Sequence, residues 1–407
     1  MRTRLELPRL SLAERDRRWQ MVRGAMQDNG LECLLLFGFP ANWDSTTANA
    51  RYISHIGGNA AFNVTLFPLE GDPTSFVLMP TFVEYWKRAQ DWVWDVRARK
   101  GNWASSIAGR IRELGLDRAR IGVDGLAGPL DPDGWFPHSV YVQMTELLPQ
   151  VNVVNTGDML EKIRAVKSAE EIAVLEKAAH LGDLMLAACL DTARPGVREC
   201  EVYARMMEVM LANGGEEPTL FLWAADGHPL PHPFRLPTQR PLSRGDLITC
   251  EMHPKYGGYC THVERTFCIG QPGQEYRAIY DGCLSAYNKG MELFKPGVKI
   301  TDAMDGIHSV IESNGLGICE AGMHGHGLSS LEYPRYRLHA LQADAATLDS
   351  KVSTLKPGMV FALNIDLVNP AWRNGETGCV FAETILITEN GAKRMHTFST
   401  DFQVVPV

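Results

Sequence analysis

Residues 245–270 read GDLITCEMHPKYGGYCTHVERTFCIG. Two apolar runs flank Lys255-Tyr256-Gly257-Gly258, the pattern of a β-hairpin closed by a loop of about four residues. Strand side chains alternate between faces. Glu251 and His253 therefore share one face of the first strand, and His262 and Glu264 share one face of the second. Cys250, Met252, Val263 and Phe267 already give the hairpin an apolar face. The four ionisable groups thus gather on the opposite side as a patch that solvent exposure or chemistry has to explain.

Upstream of this hairpin the chain alternates strand and helix patterns. Ser11 and Glu14 form a capping box for a helix ending at Gly30. Residues 31–39, 62–69, 75–80, 120–125 and 151–157 read as strands, 102–116 as a helix, and the Gly-, Asn- and Thr-rich stretch 40–60 as loop. This describes an α/β domain over residues 1–160. A charged helical connector follows, with a second capping box at Ser168 and Glu171. Residues 161–407 then alternate helices with Gly-rich strand pairs, an α+β arrangement. Within them Arg194-Pro195-Gly196-Val197 and Lys295-Pro296-Gly297-Val298 each follow one amphipathic helix and open another. This internal repeat predicts two related halves.

The 407 residues are 45% hydrophobic and 22% charged, a composition suited to a globular enzyme with a sizeable core. A formal net charge of −8 leaves no electrostatic footprint for nucleic acid. No run approaches the ~20 apolar residues of a membrane span. The first residues lack the apolar core of a secretory signal. Nine cysteines without CxxC spacing suit reduced thiols better than a disulfide framework. The expected compartment is the cytoplasm.

The motifs LEKIRAVKSAEEI (160–172), RPGV (194–197), the hairpin, MHGHGL (323–328), LKPGMVF (355–361) and ETILITENG (383–391) together resemble the pita-bread family of Xaa-Pro peptidases, methionine aminopeptidases and creatinase. The first 160 residues look like the smaller domain of creatinase and the prolidases. The resemblance implies a pita-bread C-terminal domain with an internal pseudo-twofold repeat, and a homodimer in which the partner's N-terminal domain caps the site. Loop residues such as Phe62 would serve that cap.

The peptidase members of the family hold two metal ions with five side chains. The matching positions here are Glu251, His262, His326, Asn364 and Ala382. Two divalent cations need anionic ligands to offset their repulsion, and Asn364 and Ala382 supply no charge, which argues against a two-metal centre. A mononuclear centre on Glu251, His262 and His326, zinc being the natural choice for such a set, is one alternative. The leading expectation is a site without cofactor or metal, since creatinase and ectoine hydrolase are similar in lacking the metal ligands. By that resemblance Glu251 stands at a catalytic glutamate and Glu264 at a glutamate that contacts a guanidinium. Creatinase's catalytic histidine matches Phe234, which makes the nearby His232 a candidate base. His326, between glycines that permit close approach, and His262 are the others. Arg335 or Arg337 would bind a substrate carboxylate, and Asn364 and Asp366 share one strand face beside it.

Three functions follow as expectations. The first is a metal-independent hydrolase that cleaves a C–N bond of a small, nitrogen-rich carboxylate compound. The second is a metal-dependent Xaa-Pro peptidase with a rebuilt centre, and the third a non-catalytic binding module. The retained cluster of ionisable groups speaks against the third.

Overall fold

The computed structural model describes residues 7–58, 61–128, 132–229, 231, 236–338 and 354–407. The chain forms two compact units, Met1–Arg164 and Ala165–Val407. Among the described residues, no helix is long and apolar enough to cross a membrane.

The first unit is built on a six-stranded sheet. Its central strand, Cys33–Gly38, is buried along its whole length, as a continuous apolar run requires. It pairs antiparallel with Asn63–Pro68 and parallel with Arg120–Val123, so the sheet is mixed. The stretch 40–60 is not all loop, since Ser45–Ser54 is a helix with most of its residues buried. Its polar composition conceals it, because those groups find partners inside the protein. Thr46 Oγ1, for example, donates to the Phe39 carbonyl at 2.6 Å. The capping box at Ser11 forms by half: the hydroxyl accepts from Glu14 N, while the Glu14 carboxylate turns to Arg17 and Arg18.

Asn49 of that helix donates through Nδ2 to both Asp124 Oδ1 and Glu161 Oε1, each at 3.0 Å. Burial, together with the Glu161 charge, pushes Asp124 up to about 7. The folded chain therefore holds this proton more tightly than the unfolded one. Stability falls as pH rises from about 4 to about 7, by up to ~4 kcal/mol, and is flat above. The variant Asp124→Asn is expected to melt with wild type near pH 4 and several degrees above it at pH 8. An unchanged difference across that range in paired melting curves would count against the assignment.

The second unit centres on an antiparallel run of strands: Glu332–Leu338, Gly317–Gly325, Val360–Val368, Ala382–Thr388, Val263–Ile269, Leu247–Met252 and Phe221–Asp226. Apart from the edge strand Glu332–Leu338, the run reads the same from either end. In each half, two helices cover one face of three strands. Ala169–Thr192 and Glu199–Ala212 pack with Trp223, Cys250, Met252, Val263 and Phe267. Gln274–Leu293 and Ile300–Ser313 pack with Met323, Phe361, Leu363, Ile365 and Ile385.

The sequence repeat is realised bond for bond. Gly196 N donates to Leu242 O and Leu242 N to Val197 O, both at 2.8 Å; Gly297 N donates to Leu355 O and Leu355 N to Val298 O, both at 2.9 Å. The two glycines have φ of 90° and 83°, which a residue with a Cβ rarely adopts. Glu251 lies as far beyond Leu242 as Asn364 lies beyond Leu355, and His253 matches Asp366 in the same way. Glu264 pairs with Glu251, Ala382 pairs with Asn364, and Glu264 and Ala382 face each other where the halves join.

Candidate active site

Alternation sets the site. Residues 248, 250 and 252 face the first helix pair, so Glu251 and His253 face away from it; residues 361, 363 and 365 face the second pair, so Asn364 and Asp366 face away too. The expected four-residue loop is longer. Between Met252 and Val263 a small second hairpin forms, Lys255–Tyr256 with Tyr259–Cys260, turning on Gly257 and Gly258 at φ of 57° and 87°. This insert returns the chain so that Glu251 and Glu264 are direct cross-strand partners.

Four expected residues, Glu251, His262, Glu264 and His326, meet in one buried patch, and none is a solvated surface charge. His262 Nε2 lies 3.1 Å from Glu264 Oε1 and 3.7 Å from Glu251 Oε1. His253 Nε2 lies 3.2 Å from the same Glu251 oxygen. The His253 ring is 4.4 Å from His262 and 5.2 Å from His326, and the His324 ring is 4.8 Å from His326. Asp366 is hydrogen-bonded to Glu264, and burial followed by the Glu264 charge raises it well above the carboxylate range, so it keeps its proton. His326 is held well below its usual value by burial, then by the neighbouring imidazoles and Lys167, and is neutral.

His253 and His324 are the partners missing from the catalytic set expected from sequence. The strand alternation that grouped His253 with Glu251 was the signal for the first. For the second, the two-residue spacing to His326 was, and the glycines explain why that spacing survives a bulge. A Cβ at Gly325 would lie 2.3 Å from the Tyr333 carbonyl, and one at Gly327 would lie 2.6 Å from Glu332 Oε2. Glu332 is itself fixed by Lys167 at 2.9 Å, a pair almost wholly buried.

The remaining expected residues divide. Asn364 is buried in the patch, opposite Ala382. Arg335 is buried and pairs in register with His324. Phe62 belongs to the first unit, 42% exposed and stacked on Phe39. His232 and the Arg337 side chain lie outside the described residues. Glu383, next to Ala382, points to the helix side, bonded to Arg265 and ion-paired with Arg394.

The His262 backbone is pinned from behind. Its N–H donates to Thr384 Oγ1, whose hydroxyl returns to the His262 carbonyl, both at 2.8 Å. His396 Nε2 meets the same carbonyl at 3.2 Å, and its Nδ1 faces Asp183. Burial would raise Asp183, yet His396 and Thr397 outweigh it and hold the carboxyl at about 2. This contribution is present above pH ~4 and lost as pH falls toward about 2. Asp183→Asn should cost about 3 kcal/mol at neutral pH, since hydrogen bonds to a charged acceptor are the ones lost. Urea unfolding at pH 7 measures it, and a change below ~0.5 kcal/mol would contradict it.

A two-metal centre does not fit these residues. Where the second half would supply two carboxylates there stand an amide, Asn364, and a methyl group, Ala382, which offers no ligand atom. Two groups of side chains lie close enough together to hold a single ion. One atom from each of His253, His262 and His326 lies within 4.8 Å of the others, and so does one from each of Glu251, His262 and Glu264. The set expected from sequence, Glu251, His262 and His326, draws on both groups.

Two helix-backed halves with an ionisable patch on the opposite face define a protein of the pita-bread class. Residues 173–389 match the model of metallopeptidase family M24, and residues 18–166 match the creatinase/prolidase N-terminal domain. The chain belongs to family M24, a family of hydrolases, with a creatinase-type N-terminal domain. An Xaa-Pro dipeptidase of Pyrococcus furiosus is 32% identical over 58% of this chain and 65% of its own. A creatinase of Bacillus sp. is 25% identical over 74% of this chain and 72% of its own. The structure of an Xaa-Pro dipeptidase from Bacillus anthracis covers 96% of this chain and 99% of that one at TM-score 0.75 and 22% identity, a likeness of fold alone.

Proposed function

We propose that the protein hydrolyses a C–N bond of a small, nitrogen-rich compound that carries a carboxylate. The observation supporting this is the asymmetry of the pocket. One half keeps Glu251 and Glu264 around His262, while the other has Asn364 and Ala382 at the equivalent positions. A centre of this kind has lost the anionic cradle for two ions and kept the anions that suit an organic cation. Glu251 acts as the base that activates water, and Glu264, with the protonated Asp366, holds the cationic end. A neutral imidazole carries the proton to the departing nitrogen. Arg335 takes the substrate carboxylate. None of these proton roles requires an ion. The protein works in the cytoplasm as a homodimer whose partner N-terminal domain covers the pocket. Sedimentation as a monomer at working concentration would remove that last element.

The test is a substrate screen with purified protein. It compares guanidino, amidino and cyclic amidine acids with N-acylated diamino acids and Xaa-Pro dipeptides, reading released amine, ammonia or urea. Turnover of one of the small cations, and none of the dipeptides, is expected. Efficient Xaa-Pro cleavage would overturn the proposal in favour of the peptidase reading, which the Pyrococcus relative's name supports.

A further inference from the structure

The patch holds more imidazole than the proposed reaction uses. His253, His262 and His326 come from three separate places in the chain: the end of one strand, the return of the hairpin, and the His-Gly-His-Gly loop. All three are buried, and one nitrogen from each falls within 4.8 Å of the other two. Burying polar nitrogens without partners is costly. Yet His253 Nδ1 and His326 Nε2 have no hydrogen-bond partner among the described residues. We propose that His253, His262 and His326 bind a single divalent ion of the zinc class, a three-imidazole centre distinct from the carboxylate two-metal arrangement that Asn364 and Ala382 rule out.

Three further observations support this. Imidazole suits zinc and its neighbours in the first transition row, and three protein ligands leave one position open for water or substrate. Ligating histidines are commonly oriented by a carboxylate on the far nitrogen. Here His253 Nε2 meets Glu251 Oε1 at 3.2 Å and His262 Nε2 meets Glu264 Oε1 at 3.1 Å. The third imidazole has Cys260 Sγ 3.7 Å from its Nδ1. Moreover, three neutral ligands leave the ion its full charge, and Glu251 and Glu264 stand beside it as the compensating anions. The carboxylates thus orient and neutralise, and the imidazoles ligate. Among metal readings this centre exchanges Glu251 for His253, since the alternative set read from sequence was Glu251, His262 and His326. It rests on the fold and the cluster rather than on the reaction proposed above.

The experiment reads binding without substrate. The full-length protein is stripped with a chelator, dialysed against zinc, and its metal content determined. Wild type is expected to hold one zinc per chain, and cobalt in its place to give the visible absorption of a four- or five-coordinate ion. His253→Ala and His326→Ala should each lower zinc content by about tenfold or more at the same free zinc and abolish the cobalt spectrum. His308→Ala, an exposed residue of the helix Ile300–Ser313, should leave both unchanged. Melting curves establish that each variant is folded, and His253→Gln replaces any that is not. Wild type that retains no zinc overturns the proposal, as does binding that His253→Ala leaves intact. Failure of the substrate screen with zinc bound would count against the reaction and not against the centre.

Discussion

Glu251→Gln is expected to lower kcat/KM by about 10²–10⁴, the range typical of a lost general base. Glutamine keeps the length of the side chain and an acceptor oxygen for His253, so the pocket should stay assembled. What it loses is charge and basicity. Glu251 touches both His253 and His262 through one oxygen, 3.2 and 3.7 Å away, so two roles are open to it. They separate in the pH profile. If Glu251 takes the proton from water, the variant loses the acidic limb of the kcat/KM profile along with its rate. If it only orients imidazoles, the limb persists, and metal affinity falls by about 10–100-fold instead. A variant with wild-type kcat/KM on the substrate found by the screen would exclude both.

Much of this site was legible in the hairpin alone. Period-two alternation put Glu251 with His253, His262 with Glu264, and Asn364 with Asp366, each pair on one face. The Arg-Pro-Gly-Val and Lys-Pro-Gly-Val turns showed the repeat because each needs a glycine at positive φ at the same point. The helix Ser45–Ser54 was not legible, because it buries threonine and asparagine through internal hydrogen bonds and so shows no apolar period. The roles of His253 and His324 were obscured for a different reason. Comparison with the family directs attention to former ligand positions, and neither residue stands at one. Only the folded register brings their rings beside His262 and His326.

The repeat also gives the asymmetry a physical meaning. Glu251 and Asn364 occupy equivalent places, as do Glu264 and Ala382, and His253 and Asp366. A symmetric scaffold with acids in both halves creates a field that draws two cations to its middle. Two acids in one half, Glu251 and Glu264, facing an amide and a methyl group in the other, shift that field to one side. Asp366, the one acid among the second-half equivalents, keeps its proton and adds a donor rather than a charge. The pocket therefore suits one cationic centre, whether a metal ion or the charged end of a substrate, with neutral polar groups around it.

Arg265→Met should destabilise the second unit by about 3–5 kcal/mol, the usual cost of removing one partner from a buried ion pair. The pair lies on the helix side of the sheet, where the two halves meet. Arg265 and Glu383 are both fully buried and bonded to each other, and the guanidinium stacks 4.7 Å from the Phe381 ring. Replacing both members by apolar residues is often close to neutral. Here Arg265→Met with Glu383→Leu should recover only part of the loss. Arg265 also donates to the carbonyls of Glu264 at 2.7 Å, Ala382 at 3.0 Å and Ser399 at 3.2 Å. Neither methionine nor leucine can serve those acceptors, and a buried carbonyl without a donor costs about 1–3 kcal/mol. Arg394, 3.0 Å from Glu383, would in turn lose its own partner. The double variant is therefore placed about 2 kcal/mol or more below wild type in denaturant unfolding. Full recovery would mean that the arginine only balances Glu383. Partial recovery would mean that it stitches the join between the halves, where Glu264 and Ala382 meet and on which the geometry of the whole site depends.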